Sequence, residues 1–247
     1  MKKMIVASSS AILGSGYLEY LLPTLKLHFK NVKTLTFIPY ARPSGISYDV
    51  YTSIVKKAFG QIDINVKGLH KFKDYKEALL QSEGIFVGGG NTFELVNQLY
   101  KKDILSILKL AINNGVPFLS TSAGSNICGI NMMNTNDMPV VNPPSFKTLG
   151  CIPFNVNTHY IEPLVEAENS TETKDRAFLK RHLLKGRETK IKEFHFYNKT
   201  PVLALREGSW LYVEGDKITL QGDYKAKLFR SKVKPIEIES GLEILIK

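Results

Sequence analysis

Ser122 stands at the end of Val116-Pro117-Phe118-Leu119-Ser120-Thr121-Ser122-Ala123-Gly124-Ser125, where an apolar run gives way to a hydroxyl and two small residues. A strand that turns sharply into a helix exposes its turn residue above the sheet, and small neighbours let other backbone approach it. The unpaired N–H groups at the start of such a helix can receive a developing oxyanion, so the chemistry suggested is nucleophilic acyl transfer. A serine used this way needs a base, and the base needs a group that holds its tautomer.

Five histidines are available. His70, His182 and His195 sit in charge-rich segments, and His28 closes an expected helix without a polar partner nearby. His159, in Asn157-Thr158-His159-Tyr160 after the apolar Ile152-Pro153-Phe154, has the local setting that best suits a base. Glu207-Gly208-Ser209-Trp210 joins two expected strands, and a carboxylate there could reach inward to orient a histidine. Gly88-Gly89-Gly90-Asn91 ends a buried strand and opens a helix, which lets backbone approach a substrate closely. It matches neither the dinucleotide fingerprint nor the phosphate-loop pattern, so an oxyanion or substrate cradle is expected. Thr135-Asn136-Asp137-Met138-Pro139 is a polar turn whose local reading is an Asx turn before proline.

The elements that must carry these residues follow from alternating apolar and amphipathic segments, the pattern of a parallel sheet wrapped by helices. Strands are expected at Met4–Ala7, Thr34–Pro39, Ile64–Leu69, Gly84–Val87 and Val116–Ser120. Helices are expected at Tyr17–Leu27, Tyr48–Phe59, Tyr75–Gln81, Thr92–Tyr100 and Ile104–Asn113. Beyond about residue 195 come short strands at Val202–Arg206, Trp210–Glu214, Lys217–Leu220 and Lys227–Phe229. Glu214-Gly215-Asp216 suggests an antiparallel hairpin, hence one mixed sheet with antiparallel strands added late.

The chain of 247 residues shows no linker composition or repeat, so one domain spanning 1–247 is expected. It has no signal-like apolar start and no apolar run long enough for a membrane span, which makes the cytoplasm the expected location and a membrane partner unexpected. Cys128 and Cys151 lack metal-ligand spacing and read as buried thiols; no metal is expected. A net charge of +10 raises nucleic-acid binding, but the basic residues fall in small scattered groups that suit a solvated surface.

Taken in order, Gly88-Gly89-Gly90-Asn91-Thr92-Phe93, Ser122-Ala123-Gly124, Thr135-Asn136-Asp137-Met138-Pro139, His159 and Glu207-Gly208 before Trp210 resemble peptidase E, the aspartyl dipeptidase family of serine peptidases. The likeness extends over most of the chain, including Phe37-Ile38-Pro39. It implies a three-layer α/β/α fold with a mixed, mainly parallel sheet, similar to the flavodoxin-like class I glutamine amidotransferase domains. It also implies cofactor-free hydrolysis of dipeptides, and of slightly longer short peptides, that begin with L-aspartate, by a monomer or homodimer. By the same likeness Ser122 is the nucleophile, His159 the base, and Asp137 and Glu207 the two candidates for the third member, with Glu207 favoured for contact with His159. The N–H groups of Ala123 and of the Gly88, Gly89 and Gly90 turn would hold the oxyanion, with Asn91 at the substrate. The cation for the aspartyl side chain would be Lys174 or Arg176, in Glu172-Thr173-Lys174-Asp175-Arg176.

Four features depart from the family pattern. Ser120 stands where a nucleophile elbow has glycine, Thr121 replaces a bulky aromatic, Lys174 stands where the family favours arginine, which bears on the aspartyl preference, and the interval from His159 to Glu207 is long. Two other readings remain at this point: a cyanophycinase-like peptidase, and a basic α/β module that binds rather than cleaves.

Overall fold

A computed structural model describes residues 1–161 and 174–246, with 174–185 given by their backbone alone. Five strands form its parallel core: β1 (Lys3–Ala7), β2 (Thr34–Ile38), β3 (Asn65–Gly68), β4 (Gly84–Val87) and β5 (Phe118–Thr121). Two antiparallel strands, β8 (Ser209–Glu214) and β9 (Lys217–Gly222), extend the edge beside β1, in the order β3-β2-β4-β5-β1-β8-β9. The Glu214-Gly215-Asp216 turn closes this hairpin, with Gly215 at φ 62°.

The central strands are buried on both faces because alternate side chains enter two cores. Ile5, Phe37, Phe86 and Leu119 pack with α1 (Leu22–His28) and α2 (Tyr48–Gly60), through Leu25, Tyr51, Val55 and Phe59. Val6, Ile38, Ile85 and Val87 pack on the other face with α3 (Tyr75–Leu80), α4 (Thr92–Lys101) and α5 (Leu105–Asn113). The fold is thus three-layer α/β/α. Ser47, Asp74 and Asn91 cap α2, α3 and α4 with side-chain oxygens on first-turn N–H groups, which fixes where each helix begins.

The expected helix over Tyr17–Leu27 is broken. Leu18 takes a left-handed conformation, a single 3-10 turn covers Glu19–Leu21, and α1 starts afresh with Pro23 in its first turn.

The late strands do not all join the first sheet. β6 (Asn155–Tyr160), β7 (Val202–Arg206), β10 (Ala226–Arg230) and β11 (Val233–Ile238) form a second sheet ordered β11-β10-β7-β6. Val156, Leu203, Leu205 and Leu228 from this sheet enter the same core as Val6 and Val87, so the two sheets share one apolar interior. A long helix, α7 (Lys174–Tyr197), precedes β7. Among the described residues no helix is long and apolar enough to cross a membrane. Cys128 and Cys151 are buried free thiols, and burial pushes the Cys151 thiol up to about 11.

Candidate active site

The turn after β5 is built by small residues. Ser122 has φ 53° and ψ −117°, a region that non-glycine residues occupy at a cost of about 1–3 kcal/mol. Its N–H donates to the Ala7 carbonyl at 3.2 Å, and its carbonyl accepts from Ser125 and Asn126. The helix that follows, α6 (Ala123–Asn126), is a single turn. A Cβ on Gly124 would lie 2.3 Å from the Val87 carbonyl oxygen, so only glycine lets the turn pack on β4.

Ser120, in the place of the elbow glycine, is accommodated by polar neighbours. Its hydroxyl lies 3.1 Å from the Ser125 hydroxyl and 3.4 Å from Cys128 Sγ, while Ser125 donates to the Ala7 carbonyl at 2.7 Å. The Thr121 hydroxyl is buried without a hydrogen-bond partner among the described residues.

His159 reaches Ser122 because β6 bulges. Asn157 pairs with Ala204 and Tyr160 with Arg206, so three steps along β6 oppose two along β7. The extra residue re-aims the side chain. His159 has φ 56°, and its N–H donates to Ser8 Oγ at 2.8 Å; Ser8 Oγ donates in turn to the Leu205 carbonyl at 2.8 Å. His159 Nε2 lies 2.7 Å from Ser122 Oγ, and His159 Nδ1 lies 2.7 Å from Glu207 Oε1. With Nδ1–H donating to the carboxylate, Nε2 is free to accept the serine proton.

Glu207 comes from the short connection between β7 and β8, where Gly208 takes φ 82°. Its side chain is half exposed, at 50%. It forms part of the wall of an open cavity of about 600 Å³ with Tyr20, Trp210 and Tyr224.

Asp137 lies elsewhere. Its Oδ2 accepts from the Thr92 N–H at 2.7 Å and from the Thr92 hydroxyl at 2.5 Å, at the start of α4. Asn91 donates to the Met138 carbonyl at 2.8 Å and accepts from the Glu94 N–H at 3.1 Å, so both ends of its amide are engaged within the chain. Asn126 bonds Thr92, Thr135 and Thr158, which ties this loop to α6 and to β6. The Thr-Asn-Asp-Met-Pro segment therefore frames the strand that carries His159.

The three glycines differ in position. The Gly88 N–H donates to the Ile38 carbonyl at 3.3 Å. Gly89 lies against the Ser122 turn, and a Cβ there would sit 2.9 Å from Ser122 Cβ. Gly90, at φ 147°, packs on Ala41.

The side chains of Lys174 and Arg176, at the start of α7, lie outside the described residues. Arg187, further along the same helix, went unnoticed in the sequence. It interacts electrostatically with both Glu207 and Asp137, and burial lowers its pKa while those two carboxylates oppose the shift. Its Nη1 is buried with no hydrogen-bond partner among the described residues. The Gly186-Arg187-Glu188-Thr189 run is a local charge pattern much like 172–176, and only the fold separates them.

The remaining histidines whose side chains are described make ordinary contacts, and the side chain of His182 lies outside the described residues. His70 bonds Asp49, His195 bonds the Asn198 carbonyl, and His28 packs edge-on against Phe29. Among the described residues no group of three or more His, Cys, Asp or Glu side chains is placed to hold a metal ion.

The family model for peptidase family S51 matches residues 4–221. The chain belongs to peptidase family S51. Relatives within reach of this S51 chain include a protein named "Peptidase E" from Streptomyces coelicolor, 38% identical over 98% of this chain and 93% of its own. Another, from Drosophila melanogaster, carries the name "Probable alpha-aspartyl dipeptidase" and is 40% identical over 93% of this chain and 90% of its own. The fold of the S51 chain is shared with a peptidase E protein from Listeria monocytogenes at TM-score 0.65 and 20% identity, covering 91% of this chain and 100% of that one. A peptidase from an acI-B1 actinobacterium superposes at TM-score 0.71 and 14% identity, over 100% of this chain and 97% of its own.

Proposed function

We propose that the protein is a serine dipeptidase that hydrolyses dipeptides with an N-terminal L-aspartate, and that the whole of 1–247 acts as one peptidase domain. The observation that carries the reading is the continuous series Ser122 Oγ, His159 Nε2, His159 Nδ1, Glu207 Oε1, with 2.7 Å at each hydrogen bond. Ser122 attacks the α-carbonyl carbon of the aspartyl residue while His159 takes its proton and Glu207 stabilises the imidazolium. His159 returns the proton to the leaving amine. Water then attacks the ester carbon as His159 takes its proton, and His159 passes that proton to Ser122 Oγ as the ester bond breaks and aspartate leaves.

The tetrahedral oxyanion is held by the Ala123 N–H and by one N–H of the Gly88–Gly90 turn, each worth about 3–4 kcal/mol in such sites. Arg187 supplies the cation for the aspartyl carboxylate. Its guanidinium is held in the field of Glu207 and Asp137 and keeps a buried N–H with no hydrogen-bond partner among the described residues, which is costly until an anion binds. The name borne by the Drosophila melanogaster relative, "Probable alpha-aspartyl dipeptidase", points to the same substrate class. Neither the cyanophycinase-like expectation nor that of a basic binding module gains support from the family match.

Ser122→Ala is the test, run with Asp-Leu, Glu-Leu and Asn-Leu. The wild-type chain turns over Asp-Leu preferentially, and the variant loses about 10⁴- to 10⁶-fold in kcat. Retained turnover in the variant, or equal turnover of the three dipeptides by the wild type, overturns the assignment.

A further inference from the structure

Tyr51 lies in α2, far from Ser122 in sequence, and is 1% exposed. Its hydroxyl donates to the Gly89 carbonyl at 3.1 Å and lies 3.3 Å from the Tyr17 hydroxyl. The ring is fixed by an edge-on contact with Phe37, centroids 4.9 Å apart, and by the Arg42 guanidinium 4.6 Å above it. The glycine turn is anchored at its ends, where Gly88 N–H donates to the Ile38 carbonyl and Asn91 N–H to the Ala41 carbonyl at 2.7 Å. Between these anchors the Gly89–Gly90 peptide is flanked by glycine on both sides. Glycine accepts either sense of such a peptide at little steric cost, so side-chain contacts must decide which way it points.

The two faces of the turn are distinct. A Cβ on Gly88 would meet the Tyr51 hydroxyl at 2.5 Å, whereas one on Gly89 would meet Ser122. In a trans peptide the carbonyl and the N–H point in opposite directions. With the Gly89 carbonyl held toward Tyr51, the Gly90 N–H is directed away from Tyr51.

We infer that Tyr51 is a positioning residue for the oxyanion hole: its hydroxyl sets the Gly89–Gly90 peptide so that the Gly90 N–H, rather than a carbonyl oxygen, meets the charge that develops on the scissile oxygen. The inference rests on the reading of Ser122 as nucleophile and narrows the turn's donor to one N–H. An orientation effect of this kind acts on the transition state more than on bound substrate.

The experiment compares Tyr51→Phe with the wild type on Asp-Leu, together with an aspartyl aldehyde, which forms a tetrahedral adduct with the serine, and L-aspartate, which does not. Tyr51→Phe is expected to lower kcat about five- to tenfold, the range of one net hydrogen bond, with KM within twofold. Aldehyde affinity falls by the same factor, while aspartate affinity is unchanged. A purely structural role would lower the melting temperature and the active fraction without altering the ratio of the two affinities. Unchanged kcat, or a loss of kcat without a matching loss of aldehyde affinity, overturns the inference. Ser122→Ala run in parallel separates the two levels: an active Ser122→Ala sinks the nucleophile itself, whereas an inactive one beside a normal Tyr51→Phe sinks only the role of Tyr51.

Discussion

Replacing Glu207 by glutamine separates the two things its carboxylate does for His159. The amide oxygen of Glu207→Gln can still accept from Nδ1–H, so the ring keeps its tautomer and only the negative charge is lost. Two unit charges about 4 Å apart interact by about 4 kcal/mol at an effective dielectric of 20 and about 1 kcal/mol in water. Glu207 is 50% exposed and borders an open cavity, which places the loss between these limits, at about 2 kcal/mol. That corresponds to about a 30-fold fall in kcat. Glu207→Ala also removes the orienting hydrogen bond, adding about 1 kcal/mol and bringing the loss to about 150-fold. Asp137→Asn is the control: its carboxylate bonds Thr92 rather than His159, and its kcat should fall less than about fivefold, with a melting-temperature loss matching about 0.3–1 kcal/mol at the α4 N-terminus. Initial rates of leucine release from Asp-Leu give kcat and KM, and circular dichroism gives the melting temperature. The reasoning fails if Asp137→Asn loses as much kcat as Glu207→Gln, or if Glu207→Ala stays within threefold of wild type.

Two further outcomes follow from side chains already described. Arg187→Met should cost on the order of 10² in kcat/KM for Asp-Leu, through the loss of charge-assisted hydrogen bonds, and leave Asn-Leu nearly unaffected; an unchanged Asp-to-Asn preference would remove Arg187 from substrate recognition. Burial lowers the pKa of His28 from 6.5 to about 4, so the unfolded chain takes up a proton in this window while the folded chain does not. Stability from this site is present above pH 6.5 and is lost as pH falls toward 4, by about 3 kcal/mol in total. Urea unfolding at pH 7 and pH 4.5 should show a shallower acid loss for His28→Phe than for wild type, and equal slopes would contradict the assignment.

Apart from the broken helix over Tyr17–Leu27, the strands and helices of the first half were legible because each buried strand is a short apolar run bounded by glycine, proline or polar residues. Gly84–Val87 running into Gly88-Gly89-Gly90-Asn91, and Phe118–Thr121 running into Ser122, are cases in which local pattern and fold agree. The second sheet was not legible. Val202–Arg206 and Lys227–Phe229 show the same short apolar alternation as the hairpin strands, and nothing local says which sheet they join. The position of His159 was hidden for a related reason, since a bulge is defined by the partner strand β7 rather than by β6 itself. Arg187 was missed because its significance lies in two carboxylates 50 and 20 positions away in the chain, Asp137 and Glu207. The segment at 172–176 offered equivalent charges with no way to rank them. Ser120 looked like a flaw in the elbow, but the hydroxyls and thiol that receive it, Ser125 and Cys128, were also in plain view.

Ser122 rides on the seven-stranded sheet, His159 on the four-stranded one, and Glu207 on the short link by which the chain passes from one to the other. Ser8, at the end of the first sheet, is hydrogen-bonded to the backbone of His159 and Leu205 in the second. Neither sheet alone contains a reactive centre. On the proposed mechanism hydrolysis is a property of the seam between them, and the alignment of two independently hydrogen-bonded lattices is a condition of turnover as much as the identity of any side chain.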